Sequence, residues 1–219
     1  MNEINRDMIS YYRDRASEYD RNAYSEEKQR ARQPDIQTSI HILQKVFVNK
    51  NVLEIAAGTG FWTEKIAQTA KIVTATDINE NAIEFAKKKT YTKHNVVFRV
   101  ADMYALGDLP RSDALFGGFI LSHVLKRDFP RFLDTISSYV IPGAVVVLMD
   151  NNLVTERPDD RQDELGNNYR LRALEDGSKH EVVKNYPTER ELRTLLRDRA
   201  TNIQYKNLEH YWVLIYKTR

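Results

Sequence analysis

A chain of 219 residues, 42% of them hydrophobic, can bury one core domain with elaborations and is not a disordered chain. Lys and Arg number 33 against 31 Asp and Glu, and this near balance leaves no polyanion-binding footprint, so nucleic acid is not expected as a partner. The absence of cysteine excludes disulfides, thiolate nucleophiles and Cys-ligated zinc.

The polar opening MNEINRDMIS and the lack of a long apolar run predict neither a signal peptide nor a membrane span, and hence a cytoplasmic protein with no membrane partner. Ile4, Met8, Tyr12, Ala16, Tyr19 and Ala23 recur every three or four residues. That spacing predicts a helix with one narrow apolar face, lying on something rather than building a core. Residues 25–33 are charged without an apolar face and read as a linker. Pro34 then opens a second predicted helix, striped by Ile36, Ile40, Leu43 and Val46.

From residue 50 strand and helix patterns alternate. Val52–Ala56 is a short apolar run, followed by a glycine bend and a helix through Ile66. KIVTAT (71–76) is β-branched, and Asn79 is placed to cap a helix ending at the lysines 87–89. Val96–Val100 and Ala114–Leu121 read as strands. Asp128 caps a predicted helix whose inner face carries Phe132, Leu133, Ile136 and Val140, broken by Pro142–Gly143 before the strand Val145–Met149. Such alternation predicts an α/β fold with a doubly wound, mostly parallel, Rossmann-like sheet.

After Asp150 the pattern changes. Residues 151–168 are polar and loop-like, and Tyr169–Ala173 and His180–Lys184 flank LEDGS, a hairpin turn. Thr188 followed by Glu191 is a capping box for the helix bearing Leu192, Leu195 and Leu196. The last two strands, Ile203–Leu208 and Tyr211–Lys217, are too close in sequence for a parallel crossover, so the sheet is expected to close with an antiparallel strand. We therefore divide the chain into an N-terminal helix with linker (1–33), a Rossmann-like core (34–150), a hairpin insertion (151–187) and a C-terminal helix with strands completing a seven-stranded sheet (188–219).

Ligands of open α/β sheets bind beyond the C-terminal strand ends. There the sequence places Glu54, Ala56, Gly58 and Gly60, then Asp77, Asp102 with Met103, then Gly118, Ser122 and His123, and finally Asp150, Asn151 and Asn152. An acidic residue ending the second strand can accept from both hydroxyls of a ribose, so Asp77 points to a nucleoside-containing ligand; its other reading is a helix cap. A dinucleotide turn needs a third glycine, where G-T-G-F-W-T has Thr63.

VLEIAAGTG, ATDIN and VADMYAL, in that order and spacing, resemble the first three motifs of the class I S-adenosylmethionine-dependent methyltransferases, with Ala56 where many members carry glycine. The resemblance implies S-adenosylmethionine as cofactor. It implies that Glu54, Ala56, Gly58 and Gly60 line its methionine end, that Asp77 holds the ribose and that Ile78 packs on adenine. Asp102 would accept from the adenine amine beside Met103, and Phe119 would lie near the sulfonium. YYRDRASEYD resembles a lid in small-molecule members, which makes Tyr12, Arg15 and Tyr19 candidates for the cofactor carboxylate. His123 is the candidate general base, by type and place; its bland reading is a structural histidine. Tyr24, Asp150 and Asn151 are placed to face the acceptor. The signature of enzymes that methylate planar amino groups is missing after the fourth strand, which reads GGFILSHV and favours a small metabolite. The insertion would wall the acceptor pocket or build a homodimer contact. The competing readings are a non-catalytic S-adenosylmethionine-binding protein, a nicotinamide-dependent oxidoreductase and a methyltransferase of RNA or protein. The other histidines (41, 94, 180, 210) show no metal-ligand spacing.

Overall fold

The computed structural model describes residues 7–16, 26–153 and 160–219. Tyr19 and Tyr24 lie outside the described residues. Residues 7–16 are helical (α1), and α2 (Glu26–Val46) follows. The core then alternates β1 (Asn51–Ile55), α3 (Phe61–Ala67), β2 (Ile72–Asp77), α4 (Glu80–Lys87), β3 (Val96–Val100), β4 (Ser112–Gly118), α5 (Phe129–Ser138) and β5 (Val140–Asn151). A three-stranded unit comes next, of β6 (Asp160–Gln162), β7 (Asn168–Ala173) and β8 (Lys179–Val183), and the chain ends with α6 (Glu189–Leu196), β9 (Ala200–Asn207) and β10 (Tyr211–Thr218).

Seven strands form one sheet in the order β3-β2-β1-β4-β5-β10-β9. The first five are parallel, and β10 runs antiparallel to both β5 and β9, as the short final connection requires. Both faces of this sheet are covered, which is why its central strands are apolar on both sides. Leu53, Ile55, Leu115, Val146 and Leu148 pack with α5 and α6 residues such as Phe132 and Leu192. Their alternates Val52, Phe116, Val147 and Met149 pack with Ile36, Leu43 and Ile66 from α2 and α3. The two-residue period of the strands thus feeds two separate cores.

Asp128 stands at the N-cap of α5 but makes no side-chain cap bond, and three further expectations differ from the structure. The linker at 25–33 and the helix start at Pro34 give way to one helix, α2, with Pro34 inside it. Proline needs only a helical φ and a place where its missing N–H is tolerated, and here the ring is exposed. Val140 does not belong to α5; it opens β5, paired with Ser112. Pro142 and the left-handed Gly143 then fall in a register shift between the Ser112–Val140 and Ala114–Val145 pairs, so they bulge the strand rather than merely break a helix. In the polar stretch after Asp150, Asp160–Gln162 forms an edge strand against β7. The capping box is formed: Thr188 Oγ1 accepts from the Glu191 N–H, and Glu191 accepts from the Thr188 N–H.

Candidate active site

The C-terminal ends of β1, β2, β3, β4 and β5 converge on one edge, and the predicted residues sit there. After β1 the chain turns sharply, with Ala56 (φ 51°), Gly58 (φ 56°) and Gly60 (φ 80°) all left-handed. Gly60 is required by contact as well as by conformation. A Cβ there would lie 2.8 Å from the Ala86 Cβ and 2.7 Å from the Tyr91 hydroxyl. Gly58 differs: a Cβ there would meet nothing within 4 Å, so its Cα faces open space above the turn.

Asp77 locks this turn. One carboxylate oxygen accepts from the Gly58 N–H at 2.8 Å and the other from the Asn79 N–H at 2.9 Å. Asn79 occupies the N-cap position of α4 but makes no side-chain cap bond, so the capping expected of it is not made; its N–H instead closes an Asx turn on Asp77. Burial pushes the Asp77 carboxyl up, against the N–H groups that favour its charged form.

Glu54 lies on β1 directly beneath, 1% exposed, and its Oε2 has no hydrogen-bond partner among the described residues. Burial pushes its carboxyl up to about 8, and the neighbouring Asp77 carboxylate adds to the effect. An orphaned buried carboxyl needs a reason, and a cation arriving from outside supplies one. Ile78, Asp102 and Met103 are half-buried at the ends of β2 and β3, and Asp102 accepts from the Tyr104 N–H at 2.9 Å. Phe119, left-handed at φ 59°, stands edge-on to Tyr211 with centroids 5.2 Å apart and lies 6.1 Å from Trp62. These residues fit a ligand with a cationic amino group at the β1 turn, a diol at Asp77 and a planar ring along Ile78.

The second half of the site is built by long-range contacts. His123 ends a single 3-10 turn after β4 (Leu121–His123). Its Nδ1 lies 2.6 Å from the Val183 carbonyl on β8, which can only accept, so Nδ1 carries the proton. Its Nε2 therefore accepts from the Tyr12 hydroxyl of α1, at 2.8 Å. Burial drops His123 to about 3, with Lys184 adding to the effect. The imidazole is neutral and its free lone pair is engaged by Tyr12. Arg15, the other described lid candidate, lies over the Tyr11 ring at 5.6 Å.

Lys184, which the sequence reading passed over, is 6% exposed and donates to Ser122 Oγ at 2.8 Å and to Asp150 at 3.2 Å. Asp150 also accepts from the Ser122 and Asn151 N–H groups. Burial would raise its carboxyl, but Lys184 and those N–H groups outweigh it and hold Asp150 below the usual range. Asp150 is thus a structural anion that ties the hairpin to β4 and β5, and Asn151 braces it. The β7–β8 register puts Arg170 and Arg172 opposite Val182 and His180 on one face, the face α1 covers through Tyr11, Leu174 and Val182. Alternation in NYRLRA was the available signal for the two arginines. No sequence signal joined them to His123. Among the described residues no group of His, Asp or Glu could hold a metal ion, and no helix is long and apolar enough to cross a membrane.

Comparison with known proteins places this geometry. The sequence profile of a methyltransferase domain matches residues 52–143. Two structures of DhpI, one in complex with S-adenosylhomocysteine and one with S-adenosylmethionine and HEP, are 27% and 28% identical to the chain. They superimpose with TM-scores of 0.79 and 0.80; the first covers 98% of this chain and 97% of its own, the second 99% of each. Demethylmenaquinone methyltransferase of Tropheryma whipplei is 27% identical over 107 residues, 48% of this chain, and the match spans only 43% of that relative's length.

Proposed function

Because the chain belongs to the class I S-adenosylmethionine-dependent methyltransferases, we propose that it moves a methyl group to an oxygen, nitrogen or carboxylate of a small metabolite. The observation that carries the reading is the open face of Gly58 between Asp77 and the unpartnered Oε2 of Glu54.

When bound, S-adenosylmethionine supplies a methyl on a sulfonium, open to in-line displacement. The chain's own residues position the partners, since orientation alone lowers such a barrier by several kcal/mol, about 7–11 at the limit. Glu54 would receive the amino group and ionise against it. Ala56, Gly58 and Gly60 would offer backbone to the methionine end, and Gly58 has no side chain to obstruct it. Asp77, already oriented by two N–H groups, would accept from the ribose hydroxyls with its remaining lone pairs. Ile78 and Met103 would flank the adenine and Asp102 would accept from its amine. The edge of Phe119 would border the sulfonium. Tyr12 and α1 would close over the site and exclude water, with Arg15 on the same helix. His123, neutral and hydrogen-bonded to Tyr12, would hold that phenol and accept an acceptor proton only through it. The insertion 151–187 would wall the acceptor pocket or build a homodimer contact, with Asp150 and Asn151 fastening it to the sheet. The low basicity of His123 suits acceptors that need little help in losing a proton.

The test is formation of S-adenosylhomocysteine from S-adenosylmethionine over a panel of small alcohols, amines and carboxylic acids. Acceptor-dependent product above the acceptor-free rate supports the reading. Tight cofactor binding without product across the panel would favour a non-catalytic binding protein.

A further inference from the structure

A second unsatisfied group lies under the lid. Arg172 Nε is buried with no hydrogen-bond partner among the described residues. Guanidinium groups cannot shed their charge, so a buried arginine keeps its place at a cost unless an anion joins it. Here the neighbours make that cost larger. Arg170 stands two residues away on the same face of β7, and Lys184, the residue after β8, is already committed to Asp150 and Ser122. Burial lowers the affinity of Arg172 for its proton, and Arg170 and Arg15 lower it further, while Tyr12 and Tyr11 oppose them. Asp7 pairs with His180 at 2.9 Å, Glu181 with Arg161, and Asp150 with Lys184. The place is also the right one. Tyr12 joins the arginine face to His123 at the end of β4, where a methyl acceptor would sit.

From the buried, unpaired Nε of the half-buried Arg172, two residues from Arg170 and beside Tyr12, we infer that the acceptor carries an oxyanion, a carboxylate or a phosphorus oxyacid, held by Arg172 with Arg170 in support. The planar fork of a guanidinium matches two oxygens of either group, and its charge-assisted bonds are stronger than neutral ones. The inference rests on the methyltransferase reading for the identity of the ligand as acceptor, but the anion site itself does not.

The experiment titrates inorganic phosphate and acetate, at constant ionic strength, into the full chain saturated with S-adenosylhomocysteine. The expected result is saturable binding of one or both anions, weakened about 10–100-fold by Arg172→Gln and less by Arg172→Lys, the loss expected for a charge-assisted pair. The affinity of each variant for S-adenosylhomocysteine stays within about twofold of the parent, because these residues lie on the hairpin and not on the cofactor turn. Preference for phosphate assigns a phosphorus oxyacid and preference for acetate a carboxylate. Absence of saturable binding of either anion overturns the inference, as does undiminished binding by Arg172→Gln. Should Arg172→Gln not fold, Arg170→Gln replaces it, and anion affinity equal to the parent's overturns the inference in the same way. Failure of the parent chain to bind S-adenosylhomocysteine would instead sink the methyltransferase reading, and the anion titration is then read on the protein alone.

Discussion

Ala56 is held at φ 51°, where a Cβ is strained by about 1–2 kcal/mol. Glycine relieves that strain but adds freedom to the unfolded chain worth about 0.5–1 kcal/mol. Ala56→Gly is therefore expected to raise stability modestly, by about 0.5–1 kcal/mol in urea unfolding; a loss would show that the methyl group packs usefully. Glu54 predicts a pH dependence. Its carboxyl is raised from 4.5 to about 8 in the folded protein, so the folded state holds this proton more tightly than the unfolded chain. The stability it contributes is complete below about pH 4.5 and is lost as pH rises toward 8, at about 1.4 kcal/mol per pH unit at most. Unfolding of the ligand-free protein across that window should show this decline, and Glu54→Gln should flatten it. An identical slope in the variant would assign the dependence elsewhere.

At the scale of elements, a buried ion pair helps to fasten the hairpin, beside hydrogen bonds such as His123 to Val183 and Asn185 to Val124. Lys184 is 6% exposed and Asp150 fully buried, so removing the cation strands an anion. Lys184→Met is expected to cost about 3–5 kcal/mol in chemical unfolding. A cost below about 1 kcal/mol would mean that the hairpin is held by its apolar contacts instead. Local signals read well at this scale: the capping box at Thr188, the glycine turn after β1 and the antiparallel end of the sheet all depend on neighbours in sequence. The failures share a cause. Pro34 has the same local appearance at a helix start and in a helix interior, and Val140 continues the apolar spacing of α5 although its partner is Ser112 on another strand. Pro34→Ala restores the N–H missing from α2 and should raise stability by up to about 3 kcal/mol. A loss on that substitution would contradict an uninterrupted helix there.

For the whole molecule, the sheet order brings five strand ends to one edge, and half of the site was legible because it lies along that edge in short motifs. Glu54, Gly58, Gly60 and Asp77 fall within a single β-α-β unit, so spacing alone places them together. The other half was not legible. Tyr12 meets His123 across 111 residues, and Lys184 meets Asp150 across 34. No local pattern encodes such contacts; they arise when the lid and hairpin fold onto the sheet. The structure also changes what His123 can do, from an expected open base to a neutral imidazole engaged with Tyr12. The most direct test of the account is calorimetric titration of the purified protein with S-adenosylmethionine and S-adenosylhomocysteine, with NAD as control, at pH 7 in two buffers of different ionisation heat. Binding of the first two on the order of micromolar is expected, with no binding of NAD and release of a proton as Glu54 ionises against the incoming amino group. Binding of NAD alone, or no binding of either adenosyl compound, would contradict it.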